Sequence, residues 1–181
     1  MDAGRARDNR QAMSSEDGFR EVDEAQFLSV MASFPAGVAV VTSLDREERP
    51  VGLTISAFCS VSRTPPLILI CVDKGSATLP AIQHSQKFTV NFLSEGRELI
   101  AQNFATKDPD KFAAQTWRHS DALPGGGPVL HEDTVAYLVC TVYEAVEAGD
   151  HWVFIGEVVE ANVEEEARSL LYHRRNFSSI G

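Results

Sequence analysis

This sequence predicts a mainly β fold, an antiparallel barrel carrying a few short helices, and three observations lead there. Short β-branched and apolar runs recur between turn-forming segments along most of the chain. Only a few short stretches carry helical spacing. No strand–helix–strand alternation repeats, which argues for barrel closure and against a doubly wound parallel sheet.

Residues Met1–Gly18 mix Arg5, Arg7 and Arg10 with Asp2, Asp8, Glu16 and Asp17, and lack an apolar period that could offset the entropy of ordering the backbone. A mobile N-terminal tail is expected there, with a single domain over residues 19–181. From Asp23, which suits an N-cap, Ala25, Phe27, Leu28, Met31 and Ala32 recur at helical spacing and predict a helix that stops before Pro35. Gly37 opens the β-branched run Val38–Thr42. With the charged segment Asp45–Arg49 and a second run, Val51–Ser62, it predicts a hairpin. Leu67–Val72 reads as a fully buried strand.

Lys74–Thr78 precedes a short helix ending near Ser85, and Lys87–Leu93 alternates as a strand. A helix over Glu95–Phe104 would put Leu99, Ile100 and Phe104 on one side. Ala105–Gly127 carries few periodic apolar residues and ends in Pro124-Gly125-Gly126-Gly127-Pro128, which is loop composition. Loops of that length in a compact domain are often functional. Val135–Val146 and His151–Val163 flank the turn Ala148-Gly149-Asp150, and a last strand covers Leu170–Phe177.

Composition narrows the function. The chain has 181 residues, 44% of them hydrophobic, enough for one core without metals or disulfides. A net charge of −10 and a pI near 4.9 lack the electropositive footprint that nucleic-acid binding needs. Cys59, Cys71 and Cys140 are odd in number and widely spaced, which fits a reducing, cytoplasmic location. The longest apolar stretch, Pro65–Val72, is too short to span a bilayer, so no membrane association is expected.

Two segments carry the ingredients of a ligand site. Lys74-Gly75-Ser76-Ala77-Thr78 joins a cation, a glycine and two hydroxyls before a helix, as a phosphate cradle would; the same hydroxyls also serve as helix caps. No upstream glycine makes it a Walker A loop. Thr54–Ser62 is dense in small hydroxyls, which suits either a polar wall against a planar ligand or the solvent face of a hairpin. His84, His119, His131, His151 and His173 have no metal-ligand spacing, so no metal is expected, and no Gly-x-Ser-x-Gly elbow is present. Asp150-His151 at a turn reads as surface, Glu164-Glu165-Glu166 as a solvated loop, and Trp117 and Trp152 as packing anchors.

Eight segments occur in a recognisable order: Phe34–Val38, Thr54–Ser62, Pro65-Pro66-Leu67, Lys74–Thr78, Asn91-Phe92-Leu93, Asp110-Lys111-Phe112, Gly149-Asp150-His151 and Tyr172-His173-Arg174. In that order they resemble the flavin reductase family of two-component monooxygenases, over about Phe19–Phe177. The resemblance implies a split antiparallel β-barrel of Greek-key type. It also implies a homodimeric flavoprotein that passes a hydride from NADH, or NADPH, to FAD or FMN and supplies reduced flavin to a partner monooxygenase. Carried over by residue, Thr54, Ile55, Ser56, Ala57 and Phe58, with Ser60 and Val61, would line the flavin ring and ribityl chain. Gly75, Ser76, Ala77 and Thr78 would hold its phosphate, and Phe104 and Lys111 would close the far side. His151, the catalytic candidate, would border the nicotinamide with Tyr172 and Arg174.

The sequence departs from the family pattern at Ala36, where a hydroxyl residue is common, and at Arg175-Asn176, where a glycine is common. No evident basic pair for a 2′-phosphate leans the donor towards NADH. The alternative to a reductase is a flavin-binding electron carrier with no nicotinamide site of its own.

Overall fold

The computed structural model describes residues 22–179. The expected tail, Met1–Gly18, lies outside the described residues, as do the first and last residues of the expected domain. Helix α1 covers Glu24–Ala32, and the Asp23 carboxylate caps it by accepting the Gln26 N–H at 2.7 Å. Strands β1 (Ala36–Gly37), β2 (Ala39–Leu44), β3 (Pro50–Ile55), β4 (Phe58–Arg63) and β5 (Pro66–Asp73) follow. After α2 (Leu79–Ser85) and β6 (Lys87–Leu93) come α3 (Glu98–Ala105) and the long strands β7 (Thr134–Ala148) and β8 (His151–Val163). The chain finishes with β9 (Leu170–His173) and β10 (Asn176–Ser179).

Every pairing is antiparallel. A seven-stranded sheet runs β3-β2-β6-β7-β8-β5-β4, and a small sheet runs β1-β9-β10. Strands β3 and β4 follow each other in the chain yet form opposite edges of the large sheet, so Ser56-Ala57 must bridge a curled sheet. The Cys71 N–H donates to Ala57 O at 3.2 Å and pins that bridge. The expected hairpin partner Val51–Ser62 is therefore two strands, because the run turns a barrel corner that local alternation does not record.

Strand pleat divides the core in two. Ala39 and Val41 of β2 and Phe88 and Val90 of β6 point into the barrel, against Ile70, Val72, Ile82 and Phe154. Val38, Val40 and Leu93 point the other way, against Ala101, Phe104, Leu130 and Leu170. Strand β5 is buried at Leu67, Ile68, Ile70 and Val72 but half-buried at Leu69 and Cys71, so it is less enclosed than expected.

Two further expectations shift. Helix α3 starts at Glu98, and Leu99 is 79% exposed while Ala101 takes the buried position, since residues two apart on a helix face opposite ways. The expected strand Leu170–Phe177 is a hairpin turning at Arg174 and Arg175, both left-handed (φ 48° and 63°), a two-residue turn built without the usual glycine or asparagine. Helix α1 buries none of its side chains, and Phe27, Leu28, Met31 and Phe34 stand exposed. No helix among the described residues is long and apolar enough to cross a membrane.

The long segment after α3 is irregular but anchored on the outer face of the large sheet. Thr42 Oγ1 donates to Pro128 O (2.6 Å), Thr89 Oγ1 to Gly127 O (2.7 Å), and the Leu130 N–H to Asn91 Oδ1 (2.8 Å). Contact is so close at Gly127 that a Cβ there would sit 2.1 Å from Thr42 O. Gly127→Ala is expected to lower unfolding free energy by about 1–3 kcal/mol or more in urea titration, because backbone on both sides must move. Gly37→Ala, where a Cβ meets nothing within 4 Å, should stay within about 0.5 kcal/mol of the parent.

Candidate functional site

Strand β3 is an edge strand, paired only with β2, and the cleft begins along its bare side. In an antiparallel strand each residue directs its N–H and C=O the same way, alternating along the chain. Lys111 Nζ donates to Gly52 O at 3.1 Å, so the backbone groups of Gly52 and Thr54 face the cleft rather than β2. The cleft is about 400 Å³.

Helix α3 and the turn after it form the opposite wall. Thr54 Oγ1 donates to Ala101 O at 2.6 Å and ties the helix to β3. Gly52 allows close approach, since a Cβ there would meet the Phe104 ring at 2.9 Å and Val41 O at 3.1 Å. Phe104 in turn packs edge-on against Phe112 (4.9 Å). Lys111 Nζ also donates to Phe104 O at 2.9 Å, fixing the wall's end. Burial pushes the Lys111 ammonium below its ordinary range, partly offset by Asp108.

The loop before α2 closes one end, with chemistry that differs from the expected cradle. Asp73 Oδ1 accepts the Gly75 N–H at 2.7 Å and Asp73 O the Ser76 N–H at 3.0 Å, while Ser76 Oγ accepts the Thr78 N–H at 3.2 Å. Those N–H groups are engaged within the loop. Lys74 pairs with Glu147 at 2.5 Å and does not line the cleft, where the cations are Lys107 and Lys111. What the loop presents is the Ser76–Thr78 surface and its hydroxyls.

Seven of the expected residues therefore share one cleft: Thr54, the Gly75–Thr78 loop, Phe104 and Lys111. Ile55 is buried in the barrel core. Ser56, Ala57, Ser60 and Val61 are exposed around the β3–β4 corner and along β4, outside the cleft lining, and Phe58 packs edge-on against Phe92 (4.8 Å). His151 starts β8 directly opposite Asp73 of the cleft rim, with Nδ1 2.8 Å from Asp150 Oδ1. That hydrogen bond holds the Asp150 carboxyl below its usual range. Tyr172 lies against Phe177 (5.1 Å) in the small sheet, and the Arg174 N–H donates to Ala32 O (2.8 Å) at the end of α1. The three residues expected around a nicotinamide thus come from two sheets and are not drawn into the cleft.

Gly52, Asp73, Lys107 and Phe112 also line the cleft. Phe112 belonged to the Asp110-Lys111-Phe112 segment, and Lys107 to the long loop Ala105–Gly127. Gly52 and Asp73 carry no local pattern that marks them as site residues. Cys140 is no nucleophile, since burial pushes its thiol up to about 12.

The profile of the flavin reductase like domain matches residues 31–181. The chain belongs to the flavin reductase-like family. A flavin reductase (NADH) of Kitasatospora aureofaciens is 42% identical over 158 residues, which is 87% of this chain and 82% of that protein. Among solved structures, nitrilotriacetate monooxygenase component B from Mycobacterium thermoresistibile aligns with a TM-score of 0.81 at 34% identity, covering 88% of this chain and 87% of that one. The NADH:FAD oxidoreductase of Streptomyces globisporus C-1027, in complex with NAD and FAD fragments, gives 0.81 at 33% identity, covering 88% and 93%. These neighbours share the split-barrel architecture that the resemblance implied.

In this member of the family the Lys111 ammonium holds two carbonyls at once. Lys111→Met keeps the apolar stem but leaves Gly52 O and Phe104 O without that donor. A loss of about 1.5–3 kcal/mol in stability is expected, with faster amide exchange over residues 104–112.

Proposed function

We propose that this chain is an NAD(P)H:flavin oxidoreductase that transfers a hydride from NADH to FAD or FMN and supplies reduced flavin to a partner monooxygenase in the cytoplasm. The observation that carries the reading is the cleft along β3: a bare strand edge, a hydroxyl loop, an aromatic wall and a held cation within one concavity. When bound, flavin supplies the two-electron acceptor. The donors and acceptors of Gly52 and Thr54 suit the amide edge of a planar ring. Ser76 and Thr78 suit a phosphate through their hydroxyls, Phe104 offers apolar surface, and Lys111 adds positive charge where reduction adds negative charge. His151 pairs across β5 and β8 with the rim residue Asp73, which supports reading it as the residue that would orient a nicotinamide without moving a proton.

The activities of named relatives support the same reading. The Kitasatospora relative and the Streptomyces structure are named for NADH, and the Mycobacterium structure is a monooxygenase component. Oxidation of NADH by the purified protein, followed by loss of nicotinamide absorbance, should depend on added flavin. Flavin binding with no NADH oxidation would make the chain an electron carrier instead. Ser76→Ala with Thr78→Ala should weaken flavin binding about 10- to 100-fold. His151→Ala should leave flavin affinity near normal and slow flavin reduction about tenfold.

A homodimer belongs to this proposal, and α1 supports it. Phe27, Leu28 and Met31 of α1, with Phe34 just beyond it, form exposed apolar surface at a helix that has no fully buried residue. Light scattering should give a mass near twice 19.8 kDa, and Phe27→Glu with Met31→Glu should shift it towards the monomer.

A further inference from the structure

A second cleft, of about 670 Å³, lies between the β2–β3 turn and α2, and it meets the first cleft at Val51 and Ala77, which line both. We propose that this second cleft takes the adenylate end of a dinucleotide whose flavin end lies along β3, so that the chain selects FAD over FMN. The inference rests on the flavin reading of the first cleft.

The walls are held in advance. Helix α2 buries Leu79, Ala81 and Ile82 in the barrel, which leaves Pro80, Gln83 and His84 together on its outer face at helical spacing. On the other side, Asp45 closes the β2–β3 turn. Its carboxylate accepts the N–H groups of Glu47 (2.9 Å) and Arg49 (2.8 Å), and the Asp45 N–H donates to Arg49 O (3.0 Å).

Charge in the cleft follows from that turn. Asp45 and Glu47 would repel a phosphate, but Arg49 is paired with both, at 2.8 and 3.1 Å. Arg46, also lining the cleft, makes no ion pair among the described residues. Its guanidinium is a planar fork suited to phosphate. Val51, Ala77 and Pro80 offer an apolar surface for a purine, and Gln83 and His84 offer hydrogen-bonding groups at its rim. The saddle at Val51 and Ala77 adjoins Ser76, so a pyrophosphate linker would cross beside the hydroxyl loop. FMN, which ends at its first phosphate, would leave the second cleft unused.

NADH also carries an adenylate end, so the test separates the two sources. Equilibrium titrations of the full chain with FAD and with FMN, without nicotinamide, should show FAD binding at least about tenfold tighter. Arg46→Ala with His84→Ala, both exposed positions, should cut FAD affinity at least about fivefold and leave FMN affinity within twofold. AMP should displace FAD and leave FMN bound. Equal FAD and FMN affinity in the parent, or an equal loss of both in the variant, would overturn the proposal while leaving the flavin reading intact. A raised KM for NADH with FAD affinity unchanged would overturn it too, by giving the cleft to the nicotinamide dinucleotide. Failure of both flavins to bind the parent would remove the flavin reading and this inference together.

Discussion

Burial on both faces of the central strands is the constraint on which this structure depends. All six residues of β2 are buried, and β6 beside it is nearly so. A sheet in that position needs a cover on each side, because pleat sends alternate side chains in opposite directions. The barrel's own curl supplies one cover. The other is assembled from α3, the irregular segment up to Leu130, and the small sheet through Leu170.

That outer cover is what creates the cleft. Its polar underside is satisfied by Thr42, Thr89 and Asn91, which hold the backbone of Gly127, Pro128 and Leu130 on the sheet. Among the described residues no buried side-chain nitrogen or oxygen lacks a partner. With the far end of the cover anchored, α3 lies against β3, and Phe104 can approach because Gly52 has no side chain. The space left between that wall and the loop before α2 is the site. Position in the cleft thus follows from packing on the back of the sheet as much as from the residues that line it.

Sequence patterns revealed those parts of the fold whose cause is local. Strand β6 was legible from Lys87 to Leu93 because its alternation is clean and turn residues bound it, and α1 was legible from Asp23 and the apolar spacing behind it. The breaks at Ser56-Ala57 and Arg174-Arg175 were not. The first is a barrel corner set by the partners of β3 and β4, and the second is a tight turn made from arginines, held by the Arg174 N–H on Ala32 O. The site shows the same division. Thr54, the Gly75–Thr78 loop, Phe104 and Lys111 were recognisable through motif order and do share one cleft. The loop's internal bonds to Asp73 and the outward pairing of Lys74 with Glu147 were hidden, because they depend on side-chain directions that a motif does not carry.

The strand order also bears on how the chain comes to be folded. Strand β2 finds its inner neighbour only when β6 exists, pairing Ala39 with Phe92, and β1 waits for β9, pairing Ala36 with Tyr172. Contacts this distant in sequence slow folding, since loop closure must precede their reward. During synthesis, the β-branched run of β2 and its neighbour β3 emerge well before the strands and cover that enclose them. The apolar side chains of that hairpin are therefore covered in steps, as β6, α3, the segment up to Leu130 and finally Leu170 arrive in turn.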